Sequence, residues 1–137
     1  MPVDEDSEET QPGRPVRSGP DVLLIESEDP LRALLRRIVE SAGYVAVEAR
    51  SAEEAIALLA GTARTVRLVL ADLAEPGVAG SQGIRKNIAR GMKLLLLSTA
   101  NYERSEARDL DGVAFYLSNP FRADALAERI RGLLEEA

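Results

Sequence analysis

Four short apolar runs break the chain at wide intervals, and none of them alternates with polar residues. Val22-Leu23-Leu24-Ile25, Leu68-Val69-Leu70-Ala71, Leu94-Leu95-Leu96-Leu97 and Val113-Ala114-Phe115-Tyr116-Leu117 each read as a strand buried on both faces. A fifth, Tyr44 to Glu48, is short and carries the β-branched Val45 and Val47. Between these runs the period changes to that of a helix. Leu31, Leu34, Leu35, Ile38 and Val39 form one apolar stripe, with Arg32, Arg36, Arg37 and Glu40 expected to face out and Gly43 to stop the helix. Asp29 is the expected cap, with Pro30 at the first helical position.

A second helix is announced by Ser51 and Glu54 in capping-box spacing, carries Ala55, Ile56, Leu58 and Leu59, and closes at Gly61. Weaker helical segments are expected over 81–90 and from Tyr102 to Leu110. The last helix, from Ala123 to about Glu135, presents Leu126, Ile130, Leu133 and Leu134 on one face. Strand and helix thus alternate five times. Right-handed crossovers then predict a five-stranded parallel sheet covered by helices on both faces, a doubly wound three-layer α/β/α fold.

Residues 1–20 stand apart. Acids cluster at Asp4, Glu5, Asp6, Glu8 and Glu9, prolines recur at 12, 15 and 20, and no apolar period appears, so a disordered acidic tail is expected before a single domain over 21–137. The formal net charge of −6 opposes nucleic-acid binding. No apolar run approaches the roughly 18 to 20 residues of a membrane span, and the polar opening carries no secretory pattern, so a cytoplasmic location without membrane insertion is expected. With no Cys and no His, thiolate chemistry, a His base and His metal ligands are excluded. No dinucleotide or P-loop glycine motif follows the first strand. Enzymatic activity is therefore not expected, and an unrelated α/β enzyme or nucleotide-binding domain is a distant alternative.

Parallel strands deliver their carboxyl ends to one edge, where open α/β sheets place their chemistry. There the first strand brings Glu26 and Ser27, the third Asp72 ahead of the Pro76-Gly77 turn, the fourth Ser98 and Thr99, and the fifth Asn119-Pro120. Each residue has an ordinary role as well: Asp72 as a turn former, Glu26 as a helix cap, Ser98 as a partner of nearby backbone, Tyr116 as core.

Taken together, residues 21–137 resemble the receiver domain of bacterial response regulators, in a degenerate form. The resemblance implies the flavodoxin-like strand order 2-1-3-4-5. It also implies Asp72 as phosphoacceptor, Ser98 or Thr99 as the hydroxyl contact, Tyr116 as switch aromatic, and Asn119 in the place of a lysine. The family's Mg²⁺ site would fall on Glu26, Asp72 and the backbone of Ala74, with Ser27 in place of an acid. Aligning instead on Pro30 would put Ser27 and Glu28 at the acidic pair, but that slip would rotate the first helix by about 100°. The Asp usual near the end of the Pro-Gly loop is Ala79. Mg²⁺ binding is accordingly expected to be weak, since Ser27 offers no charge and Glu26 is a methylene longer than Asp.

Two functions follow from the resemblance. One is a pseudo-receiver acting as a protein-binding module; the other is a slow receiver phosphorylated on Asp72. The implied partner is a histidine kinase, a phosphotransferase or a downstream effector, with Tyr102, Arg104, Arg108 and Leu110 as candidate contacts.

Overall fold

A computed structural model describes residues 19–61, 65–72, 74–78, 84, 92–98, 114–118 and 122–135. The expected tail up to residue 18, the helical segments over 81–90 and Tyr102 to Leu110, and the docking contacts on the latter lie outside the described residues, Ile84 excepted. The described elements are β1 (Val22–Ile25), α1 (Asp29–Ser41), β2 (Ala46–Ala49), α2 (Ala52–Ala60), β3 (Leu68–Asp72), β4 (Lys93–Ser98), β5 (Ala114–Ser118) and α3 (Ala123–Glu135). The five strands form one sheet in the order β2-β1-β3-β4-β5, and every pairing is parallel.

The unbroken apolar runs have the reason that the alternation suggested. Successive side chains of a strand point to opposite faces, so a strand covered on both sides needs apolar residues at every position. Val22, Leu24, Leu68, Leu70, Leu95 and Leu97 pack with Leu35, Ile38, Val39, Leu126 and Ile130 of α1 and α3. Leu23, Ile25, Val69, Ala71, Leu94 and Leu96 pack on the other face with Ala52, Ala55, Val78 and Ile84.

Helix α1 ends as its glycine predicts. Gly43 has φ +100°, its N–H donates to the Glu40 carbonyl, and the Tyr44 N–H donates to that of Val39. These are the paired bonds of a Schellman turn. Its start differs from expectation. Glu28, not Asp29, holds the N-cap position, without a side-chain cap bond. Asp29 lies within the first turn, where its carboxylate accepts from Arg32 at 2.6 Å. Arg32 itself is buried rather than outward, and Leu34 is 40% exposed, so the stripe that faces the sheet is narrower than the periodicity suggested. In α2, Ser51 Oγ accepts from the Glu54 N–H, while the Glu54 carboxylate reaches back to the Arg50 N–H, one residue before its expected partner.

The last helix is held at the amino edge of the sheet. Lys93 Nζ and Arg67 Nη1 donate to the carbonyls of Leu133 and Leu134, both at 2.9 Å, and Tyr44 Oη donates to Glu135 at 2.7 Å. Two cations thus meet a helix C-terminus, where carbonyls lack intrahelical partners and the dipole is negative.

Candidate functional site at the carboxyl edge of the sheet

The parallel register sets Ile25 of β1 beside Ala71 of β3, so the residues that follow, Glu26 and Asp72, leave the sheet side by side. On the other flank, Asp72 lies level with Leu97, one residue before the end of β4, and Ser98 pairs with Ser118 of β5. The backbone therefore brings four strand ends to one edge, as the alternation required. The proposed contacts of the Ser98 and Tyr116 side chains, and those of Thr99 and Asn119, lie outside the described residues.

Glu26 is buried, with 4% of its surface exposed. Its Oε2 accepts from the Glu28 N–H at 3.0 Å, closing a tight local turn. Burial pushes its pKa above the usual carboxylate range, and the negative charges of Asp72, Glu75 and Glu28 push the same way; the Glu28 N–H opposes them. The β1–β3 register puts Glu26 beside Asp72, while Glu28 stands exposed at the N-cap of α1.

Asp72, the last residue of β3, is half-buried. Its Oδ1 accepts from the Ala74 N–H at 2.8 Å, and its backbone carbonyl accepts from the Glu75 N–H at 3.0 Å. The chain then turns through Pro76 and Gly77, where φ is +85°, and Val78 plunges into the core. At Ala74 the described polar contact is made by the N–H. Among the described residues, Asp72's second oxygen takes no hydrogen bond. It is a carboxylate held at a strand end.

The side chain of Glu75 was not foreseen as part of the site. Its Oε1 accepts from the Ser27 hydroxyl at 3.2 Å, across 48 residues of sequence. An acid three residues after a strand-end Asp, inside a turn, is the local signal that marks it; its partner is not local and leaves no signal.

Arg32 supports the edge from below. Its Nη1 donates to the Glu26 carbonyl and its Nε to Glu48, each at 3.0 Å, while Nη2 binds Asp29. Arg36 donates to Glu48 at 2.7 Å and to Glu40 at 3.0 Å, which extends the network along the outside of α1. The Arg36 bond, with help from Arg32, holds the Glu48 carboxyl below its ordinary pKa against the opposing effect of burial.

The chain matches the sequence model of the response regulator receiver domain over residues 22–131. It belongs to that family. Among its relatives, the phosphate regulon transcriptional regulatory protein PhoB of Pseudomonas aeruginosa is 26% identical over 121 residues, which span 85% of this chain and 52% of PhoB. The sensor kinase CckA of Brucella abortus is 30% identical over 118 residues, 84% of this chain and 12% of that kinase. The chain thus spans about half the length of the first and far less of the second. Among solved structures, a receiver domain protein from Clostridium thermocellum superposes with a TM-score of 0.69 at 19% identity, covering 84% of this chain and 94% of that one. That likeness carries the fold, and the observed strand order is the one implied for a receiver.

A receiver's fold implies a Mg²⁺ ion at this edge, and the donor set here fits one in part: two carboxylates are present and the third position is a neutral hydroxyl. One oxygen each of Glu26 and Asp72 is engaged by a backbone N–H, and the Ser27 hydroxyl is engaged by Glu75. Among the described residues, no three acidic side chains gather closely enough to hold a metal ion. Mg²⁺ takes near-octahedral oxygen ligands at roughly 2.0–2.1 Å, commonly one or two carboxylates with waters, so Glu26 and Asp72 would hold it through their remaining oxygens and Ser27 would add no charge.

Proposed function

We propose that this receiver works in two-component or phosphorelay signalling as an atypical member, a protein-binding module whose partner recognition depends little on phosphorylation. The observation that carries the reading is Ser27. Where the family has an acid, this chain has a neutral hydroxyl, and that hydroxyl is spent on Glu75. Asn119, in the family's lysine position, points the same way, because an amide cannot make the charge-assisted bond of an ammonium to a phosphoryl oxygen. Mg²⁺ binds weakly, the protein performs no catalysis of its own, and it acts in the cytoplasm. Its partner is a histidine kinase, a phosphotransferase or a downstream effector.

A slow but working receiver is the second reading, favoured by Asp72, which stands at its strand end with an oxygen free of hydrogen bonds among the described residues. Incubation with Mg²⁺ and a small acyl phosphate separates the two. The atypical reading expects at most trace incorporation of phosphate. Near-stoichiometric labelling that is abolished in Asp72→Ala would establish the second reading instead.

A further inference from the structure

We propose that the Ser27–Glu75 hydrogen bond is a metal-free clasp, which holds the β1–α1 turn against the loop after Asp72 and sets that loop's resting position. The inference deepens the atypical-receiver reading and rests on it for its functional meaning, though the contact itself does not depend on whether Asp72 is ever phosphorylated.

Two loops leave the carboxyl edge next to one another, one carrying Glu26 and Ser27 and the other Asp72 to Val78. Among the described residues, the hydrogen bond from Ser27 to Glu75 is the one that joins them. Glu75 is held ready for it by its own backbone. Its N–H donates to the Asp72 carbonyl at 3.0 Å and its carbonyl accepts from the Val78 N–H at 3.1 Å, while Val78 is fully buried in the core below. The Glu75 backbone is therefore fixed from both sides, and its carboxylate meets the exposed Ser27 across the edge.

The two residue types are complementary. Glu75 adds a third carboxylate to an edge that already carries Glu26 and Asp72. A second acid at position 27 would face it charge to charge, a repulsion that solvent or a bound cation would have to screen. A hydroxyl at 27 donates a hydrogen bond instead, and the loops are joined with no ion. Losing the acid at 27 and having one at 75 are thus two halves of one device.

Amide hydrogen exchange in chelator-treated protein tests this. The reporters are the N–H groups of Ala74, Glu75 and Val78, whose acceptors lie in the loop itself, with Leu24 and Leu70 of the buried strands as internal references. Ser27→Ala and Glu75→Ala should each speed exchange at the reporters by roughly three- to tenfold, the range for loss of one hydrogen bond, and leave the reference amides unchanged. The double variant should be no faster than either single one, because both remove the same contact. Ser27→Thr, which keeps the hydroxyl, should stay near the parent protein, and added Mg²⁺ should change the parent little. Unchanged reporters in Ser27→Ala, additive effects in the double variant, or strong Mg²⁺-induced protection of the parent would each overturn the clasp. Phosphate labelling of Asp72 would overturn the atypical reading while leaving these exchange rates as they are, so the two failures are distinguishable.

Discussion

The guanidinium of Arg32 donates to the backbone carbonyl of Glu26 at 3.0 Å, from the first turns of the helix that Glu26 precedes. Through Nε the same side chain binds Glu48 on the neighbouring edge strand β2. One buried cation thus ties together the turn that carries the candidate site, the helix beneath it and the outer strand. A planar fork with several fixed donors suits such a junction, and a lysine does not.

Arg32→Ala should therefore lower the melting temperature by several degrees, and Arg36→Ala by clearly less, since Arg36 is half-exposed and its partners stay solvated. Arg32→Lys should recover only part of the loss, because a single ammonium cannot serve the Glu26 carbonyl, Asp29 and Glu48 at once. Thermal melts of the three variants, with the backbone shifts of Glu26 to Glu28 as a local readout, check the ranking. Equal losses for Arg32→Ala and Arg36→Ala would contradict it.

Arg32 also marks the limit of what the sequence could disclose. The strands were legible because a doubly covered sheet needs apolar residues at every position, a pattern confined to four or five neighbours. Asp72 was legible for the same reason: its place at a strand end is a local fact. Arg32 occupies a polar slot in a helical stripe, and its inward turn depends on a carbonyl 6 residues away and a carboxylate 16 away. Glu75 is harder still, since its partner Ser27 lies 48 residues off and only the sheet register brings them together. Leu34 shows the converse. It belongs to the stripe by period, yet stands 40% exposed because the sheet covers a narrower face of α1 than the stripe spans.

The turn after Asp72 depends on Gly77. Its φ of +85° is a backbone state that an L side chain adopts at a cost, and a Cβ there would stand 2.9 Å from the Cβ of Ala52 at the start of α2. Gly77→Ala should destabilise the protein by about 1–2 kcal/mol. The urea midpoint should fall with an unchanged slope. No shift in the midpoint would mean that the turn relaxes freely.

Glu48 gives the network a pH signature. Its hydrogen bond from Arg36, then that from Arg32, depress its folded pKa below the unfolded value, so the folded state holds its proton less tightly than the unfolded state does. The stabilisation is then fully present above the unfolded pKa and is lost as pH falls through the folded one. Glu48→Gln should cost under about 1 kcal/mol near neutrality, since the pair is partly screened by solvent. The gap between variant and parent should narrow between neutrality and an acidic pH below the ordinary carboxylate range, as the parent carboxyl takes up its proton in the folded state as well. Paired urea titrations at the two pH values test this; a gap that widens on acidification would have the wrong sign.

Restoring phosphorylation-driven switching should take two substitutions at once. Ser27→Asp returns a carboxylate to an edge that already holds Glu26, Asp72 and Glu75, and the crowding of charge favours a cation, so Mg²⁺ affinity should rise. That change alone leaves no cationic contact from the β5 side. Asn119→Lys supplies the ammonium but leaves the metal side depleted, so it too should fail alone. A charged contact to a phosphoryl group is worth roughly 1.5–3 kcal/mol, a shift of about tenfold to a hundredfold in a two-state equilibrium. Backbone shifts on titration with Mg²⁺ and a beryllofluoride mimic should stay close to the edge in the parent and in each single variant. In the double variant they should extend to the residues after β5, because the mimic then has ligands that differ between the two states on both sides. A full response in Asn119→Lys alone would mean that Ser27 was never the missing half.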